Sequence, residues 1–186
     1  MAILNPIVNA GVLAIDGNLE PEARLQGLLR CWLGTYFSGS AFTTRATTTT
    51  TTSKTFIACD FMWQDDKMPV NPQKPIIHVV FSNDGTERLD LAEGMFGHCD
   101  KWLLEVILKV PGTLSATPLK PGTSEQLARR LAGQALWLFS SGERDALTAQ
   151  GIYQLKIEHP PVAMNAGVWH QRMMMASCVT RREQAR

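Results

Sequence analysis

Apolar residues recur along this chain with two periods, and the switches between them mark out its elements. From Pro21 onward, Leu25, Leu28, Leu29, Trp32, Leu33 and Phe37 fall at helical spacing and form a wide stripe. Pro21 suits an early helical position, so the pattern predicts a core helix there. A second helical stripe, Leu127, Leu131, Ala135 and Leu138, follows Thr123-Ser124-Glu125-Gln126. That tetrad fits a capping box, with Thr123 accepting from the Gln126 N–H and the Gln126 side chain reaching back. Ser140-Ser141-Gly142 interrupts the stripe, Glu143 to Leu147 restarts it, and Gly151 supplies a left-handed stop.

Between the helices the period falls to two. Trp102, Leu104, Val106, Leu108 and Val110 share one face of a predicted strand; Lys101, Glu105 and Lys109 share the other with Leu103 and Ile107. Ile76 to Phe81 is a continuous apolar run, expected of a strand covered on both faces. Ser82-Asn83-Asp84-Gly85 then predicts a tight hairpin turn, with Leu89 and Leu91 on the return. Thr55 to Cys59 reads as a strand, and Asp65 to Lys74 as a polar loop. After the helices, Tyr153, Leu155 and Ile157 alternate with polar neighbours until Pro160-Pro161, which predicts the end of that strand because proline cannot donate to a ladder. Val168 to Arg182 returns as a long last strand.

Helix, several strands, helix pair, two strands: this order predicts an α+β fold with a largely antiparallel sheet. The N-terminal helix and the central helix pair are expected to cover it within a single domain of residues 1–186. Two stretches fit the plan less well. Residues 1–18 are apolar without a sustained period, and read as an arm on a neighbour or a coil along the core. Residues 41–54 hold eight threonines, six consecutive from Thr47 to Thr52. β-Branched threonine resists a helix, so this is an extended strand, a loop, or a hairpin arm ordered against another subunit.

Composition narrows the classes. The 186 residues are 45% hydrophobic, enough for one substantial core and too many for a disordered chain. A formal net charge of +1 supplies no electrostatic drive toward nucleic acid, and sequence-specific nucleic-acid binding is not expected. No apolar stretch reaches the roughly 18 residues of a membrane span. Met1 to Ile15 lacks the basic start of a signal peptide. Cys31, Cys59, Cys99 and Cys178 are too scattered for a zinc site and suggest free thiols in a reducing compartment.

Motifs for phosphate cradling, nucleophile elbows and zinc hydrolysis are absent. His98-Cys99-Asp100 is the one place where nucleophile, base and acid crowd together, but neighbours on a strand point to opposite faces. No catalytic residue, cofactor or metal is expected. Met173-Met174-Met175 suits core filling. With Trp169 and Arg172 it makes the last strand bulky on both faces, which suggests an interface.

The helix around Leu25–Leu33, the strand Ile76–Phe81 with Asn83-Asp84-Gly85, the strand Trp102–Val110 ending at Pro111, and the run from Ala146 through Gly151-Ile152-Tyr153 to Trp169–Arg182 occur in a familiar order. Across most of residues 20–182 the chain resembles the tail terminator proteins of tailed bacteriophages, as a pattern of elements and not an invariant motif. The threonine-rich segment and the loop Met62–Lys74 depart from that pattern. The resemblance implies a non-enzymatic structural virion protein, assembled in the host cytoplasm, that forms a homohexameric ring on the tail tube. Such a ring ends tube polymerisation and joins the tail to the neck, with the tail tube protein and a neck or head-completion protein as partners. Other expectations are another neck or tail-completion protein, a host-cell binding module, or a small cytoplasmic enzyme using His98, Cys99 or His159. A ring needs one patch to meet a different patch on the next copy. Thr47, Thr50 and Thr52 of the arm and Trp169, Arg172, Met173 and Met175 of the last strand are the candidate contacts.

Overall fold

A computed structural model of the chain describes residues 21–45, 51–64, 66–69, 72–92, 95–112, 123–140, 145–149, 151–166 and 168–185. The expected arm at residues 1–18 lies outside them. Helix α1 spans Pro21–Tyr36, α2 Ser124–Ser140, and α3 is a single turn, Asp145–Thr148. The strands are β1 (Ala41–Arg45), β2 (Thr51–Thr55), β3 (Asp60–Trp63), β4 (Ile76–Ala92), β5 (Met95–Pro111), β6 (Ile152–Ala166) and β7 (Trp169–Ala185). The fold is mixed helix and strand, with a mostly antiparallel five-stranded sheet in the order β3-β4-β5-β7-β6. Among the described residues, only the β3–β4 pair is parallel. β1 and β2 form a separate two-stranded antiparallel sheet.

The helices form where the apolar stripes predict. Leu25, Leu28, Leu29, Trp32, Leu33 and Phe37 are all buried, and Tyr36 joins them. The capping box is made: the Gln126 N–H donates to Thr123 Oγ1 at 3.2 Å, and the Thr123 N–H donates to Gln126 Oε1 at 3.1 Å. Two orphan donors of the first turn are thereby satisfied. Leu131, Ala135 and Leu138 lie in one core cluster with Trp102, Leu104, Val106, Leu108 and Val110. Helix α2 packs on β5, β6 and β7. Trp32 of α1 meets Phe139 of α2 edge to face, with ring centroids 5.2 Å apart. Each large side chain so buried contributes on the order of 1.5–3 kcal/mol.

Five expectations are corrected. Asn83-Asp84-Gly85 does not reverse the chain: β4 runs straight through it as a 17-residue strand, paired to β5 along its whole length. The register shifts between Asn83 and Gly85, so the signal marks a bulge. Gly85 takes φ +152°, and its N–H donates to Asn83 Oδ1 at 2.7 Å. Local turn chemistry thus bends the strand, and long pairing with β5 outweighs a reversal.

Pro160-Pro161 does not end β6, which continues to Ala166. β6 is an edge strand, and its register shifts between His159 and Val162. The prolines therefore sit at a bulge on an edge, where a missing donor costs least. An earlier bulge, with Gln154 at φ +52°, shifts the register between Tyr153 and Lys156. Tyr153 consequently stacks under Arg181 at 4.8 Å, whereas Leu155 is buried and Ile157 packs against the core. The predicted shared face of those three residues is broken by the extra residue. Gly151 does take the left-handed stop, at φ +90°.

Thr55 to Cys59 is not one strand: β2 ends at Thr55 and β3 begins at Asp60. The connection is held by Gln134, whose Oε1 accepts from the Ile57 N–H at 3.0 Å, and by the Cys59 N–H donating to the Phe37 carbonyl at 3.0 Å. Finally, Ile76–Phe81 is not equally covered on both faces. Ile77, Val79 and Phe81 are buried, but on the other side only Ile76 is, with His78 and Val80 half-buried.

Candidate interaction surface

Register and alternation decide which residues share the second face of the sheet. Even-numbered β5 residues from Trp102 to Val110 face the helices, so Leu103, Glu105, Ile107 and Lys109 face away. On β4, Val80 pairs with Glu105 and His78 with Ile107; on β7, Met175 pairs with Glu105 and Met173 with Ile107. On β6, Val162 lies opposite Met173 and Met164 opposite Gln171. An outward sheet face facing water normally reads polar. This one mixes the two: Leu103, Ile107, Val80, Met173 and Met175 are half-buried beside Glu105, His78, Gln171 and Ser177, Val162 is 51% exposed, and Ile76 and Lys109 are buried. Four strands about 4.8 Å apart and eight steps of about 3.4 Å give on the order of 500 Å² in projection, comparable with about 800 Å² of accessible surface per partner in a standard interface.

One corner is built from polar groups. The Gln64 N–H donates to the Val79 carbonyl at 3.1 Å, and its side-chain amide donates to the Phe81 carbonyl at 3.0 Å. Gln64 therefore extends the short β3 past Trp63, with its backbone at φ +43°. Its own carbonyl lies 2.8 Å from His78 Nε2. A carbonyl only accepts, so Nε2 carries the proton and Nδ1 is the free acceptor. Lys109 Nζ, 3.0 Å away, donates to it. Lys109 is 9% exposed, and burial holds its ammonium below the usual lysine range. Among the described residues neither Lys109 nor Glu105 has an ion-pair partner.

The residues singled out from sequence separate in space. Met173, Met175 and Trp169 lie on the outward face, with Trp169 opposite Pro111 and Ala166. Arg172 lies on the helix-facing side, opposite Leu108, close enough to Glu125 of α2 to help hold that carboxyl low. Thr52 lies on β2 opposite Thr44; Thr47 and Thr50 fall outside the described residues. Glu105, Lys109 and His78 were not singled out. Their signal was the mixture of Leu103 and Ile107 with charges on the supposedly polar side of β5.

The candidate chemistry is dispersed. Asp100 is buried and accepts from Thr86 Oγ1 at 2.7 Å, whereas Cys99 next to it points to the other face. Burial pushes the Cys178 thiol up to about 12 and raises Cys59 and Cys31 as well, the opposite of an activated nucleophile. Among the described residues no three metal-ligating side chains come together, and no helix is long and apolar enough to cross a membrane. Compared with models of known protein families and with curated proteins, the chain matches none.

Proposed function

We propose that this chain is a structural protein of a bacteriophage tail, forming a six-copy ring that caps the tail tube, ends its polymerisation and meets the neck. The observation that carries this reading is the group Leu103, Ile107, Met173 and Met175 on the outward face of β5 and β7, over which no helix among the described residues packs. The order of elements supports it: an N-terminal helix, a strand group, a helix layer and a closing strand pair. In this reading α1 with the α2–α3 pair forms a one-sided layer over the sheet of a single domain.

Ring closure is heterologous, so the outward face of one copy must meet a different patch on the next. The β1–β2 hairpin is the second patch. It stands apart from the main sheet, and two strands alone are marginal in water. Its base is fixed by aromatic contacts, Phe42 against Tyr36 at 4.8 Å and against Phe56 at 4.8 Å, with Lys54 Nζ 3.8 Å over Trp137. Anchored there, it can reach past its own domain. The tube protein and a neck protein would take the two rims of the ring.

Electron microscopy of the purified full chain, alone and with tail tubes, tests this. Rings of six copies, seated at tube ends, are expected. Particles of one or two copies that leave tube ends bare would refute it.

A further inference from the structure

Strand β4 is much longer than its neighbour on one side. β3 pairs with it only from Ile76 to Val79, and the Gln64 side chain closes the next place. That amide donates to the Phe81 carbonyl at 3.0 Å and accepts from the Phe81 N–H at 3.4 Å. The Phe81 peptide groups therefore point away from β5, as alternation in an antiparallel pair requires of every second residue. Phe81 pairs with Leu104, so even-numbered β5 partners mark the β4 residues whose N–H and C=O face the open side. Past the bulge these are Thr86, Arg88 and Asp90, opposite Asp100, His98 and Phe96. No strand lies along them among the described residues.

An open strand edge recruits another strand unless something blunts it. The opposite edge of the sheet is blunted: β6 holds Pro160-Pro161 and shifts register at three places. From Gly85 to Asp90, β4 keeps unbroken register with β5 and has no proline. What it carries is charge: Asp84, Asp90 and Glu87, which is shared with Lys101, against Arg88. Such an edge repels an acidic strand and admits a neutral or basic one. The β1–β2 hairpin fits that requirement. Its strands are five residues each and rich in threonine, and residues 41–55 carry Arg45 and Lys54 but no acid.

We infer that the hairpin of one copy adds, edge to edge, to residues 86–90 of β4 in the next copy, extending that sheet along the border of its outward face. A copy does not reach its own edge. Thr86 lies ten residues, or about 33 Å, beyond the level of Asp60, whereas the hairpin strands span only about 17 Å. Its base is also pinned near β3, through Ile57 to Gln134 and Cys59 to the Phe37 carbonyl. Main-chain hydrogen bonds give such a strand addition its affinity, and β-branched threonines suit the new ladder. Each copy offers one hairpin and one edge, so the contact is heterologous. The inference rests on the proposed function in taking the hairpin as a contact between copies, and it names where the hairpin lands.

Proline tests the edge. Arg88→Pro removes an N–H that faces the open side and none from the β4–β5 ladder, so the fold should tolerate it. In sedimentation of the full chain it should weaken association at least about tenfold, whereas Arg88→Ala should stay within about threefold of the parent. A second variant replaces residues 43–53 by Asn-Gly, a tight turn between the paired Phe42 and Lys54, and should be weakened as much. Circular dichroism checks that each is folded. Mixing the two faulty variants should restore contact: the intact hairpin of the first meets the intact edge of the second, giving a pair with one copy of each. Should Arg88→Pro not fold, Asp90→Pro takes its place; loss of fold in both would mean that these N–H groups are bonded within the chain, and would overturn the inference. Association of the proline or the shortened variant as strong as the parent's, or a mixture that stays as single copies, would overturn it too. Six-copy rings built by Arg88→Pro would remove this contact and leave the ring. Complementing pairs from a parent that never forms six-copy rings would do the reverse.

Discussion

The two faces of strand β5 carry the same kinds of apolar residue and have different fates. Towards the helices, Trp102, Leu104, Val106, Leu108 and Val110 are no more than 2% exposed. On the other side Leu103 and Ile107 remain half-buried, alternating with Glu105 and Lys109. The first face is finished within the chain, because α1 and α2 supply matching stripes. The second is apolar without a covering element among the described residues. An apolar side chain that gains little on folding is explained best by a gain on association. On the proposed reading, that difference separates what the chain needs to fold from what it would need to assemble.

Truncation on the two faces should separate them most strongly. Leu104→Ala is expected to lose about 2–5 kcal/mol in denaturant unfolding, since the cavity lies inside the packed core. Ile107→Ala, measured at concentrations where copies are apart, should lose under about 1 kcal/mol. Equal losses would mean that the outward face is closed within the chain. Next in size, Thr123→Ala removes the cap of the helix that covers the core face and should cost roughly 0.5–2 kcal/mol, read from the same curves. No change there would mean that α2 is held by packing alone.

Lys109→Met should work in the opposite direction. Burial depresses the Lys109 ammonium, so the parent bears the full cost of a buried charge at any pH below the folded value. That cost fades as pH rises through the depressed folded value toward the ordinary lysine range. The variant should therefore melt higher than the parent near neutral pH, with the gap narrowing in alkali. A gap independent of pH would assign the effect to packing.

The smallest expected effect lies at Glu125. The Arg129 side chain, bonded at 2.7 Å, holds this carboxyl below its usual range, with Arg172 adding to it. A depressed carboxylate stabilises above its unfolded value and loses that contribution as pH falls through the folded one. Glu125→Gln should flatten a slight acid-side loss of thermal stability and leave neutral pH nearly unchanged, as befits an exposed pair. An unaltered acid profile would show that Arg129 does nothing there.

Much of the core was legible because helical and strand periods are local. The stripes of α1 and α2, the alternation of β5 and the Thr123 cap all follow from spacing that a few residues carry. What could not be read depends on partners distant in sequence. Asn83-Asp84-Gly85 has the chemistry of a reversal, and only a long β5 alongside makes it a bulge. Pro160-Pro161 stops a central strand but not an edge, and edge position is set by the order of the whole sheet. Of the candidate contacts, Trp169, Met173 and Met175 share the outward face, as their odd-numbered places on one strand require. Arg172, named beside them on a strand bulky on both faces, falls on the helix side by parity. Glu105 and Lys109 gain meaning only when β4 and β7 are laid beside them.

The central claim is that the outward face of the sheet is a contact between copies. Sedimentation of the full chain beside Ile107→Arg, from low to high micromolar concentration, tests it most directly. The account predicts that the parent sediments as more than one copy and that the variant, folded to the same extent by circular dichroism, falls to a single copy. A parent that stays a single copy throughout, or a variant that associates as the parent does, would contradict it.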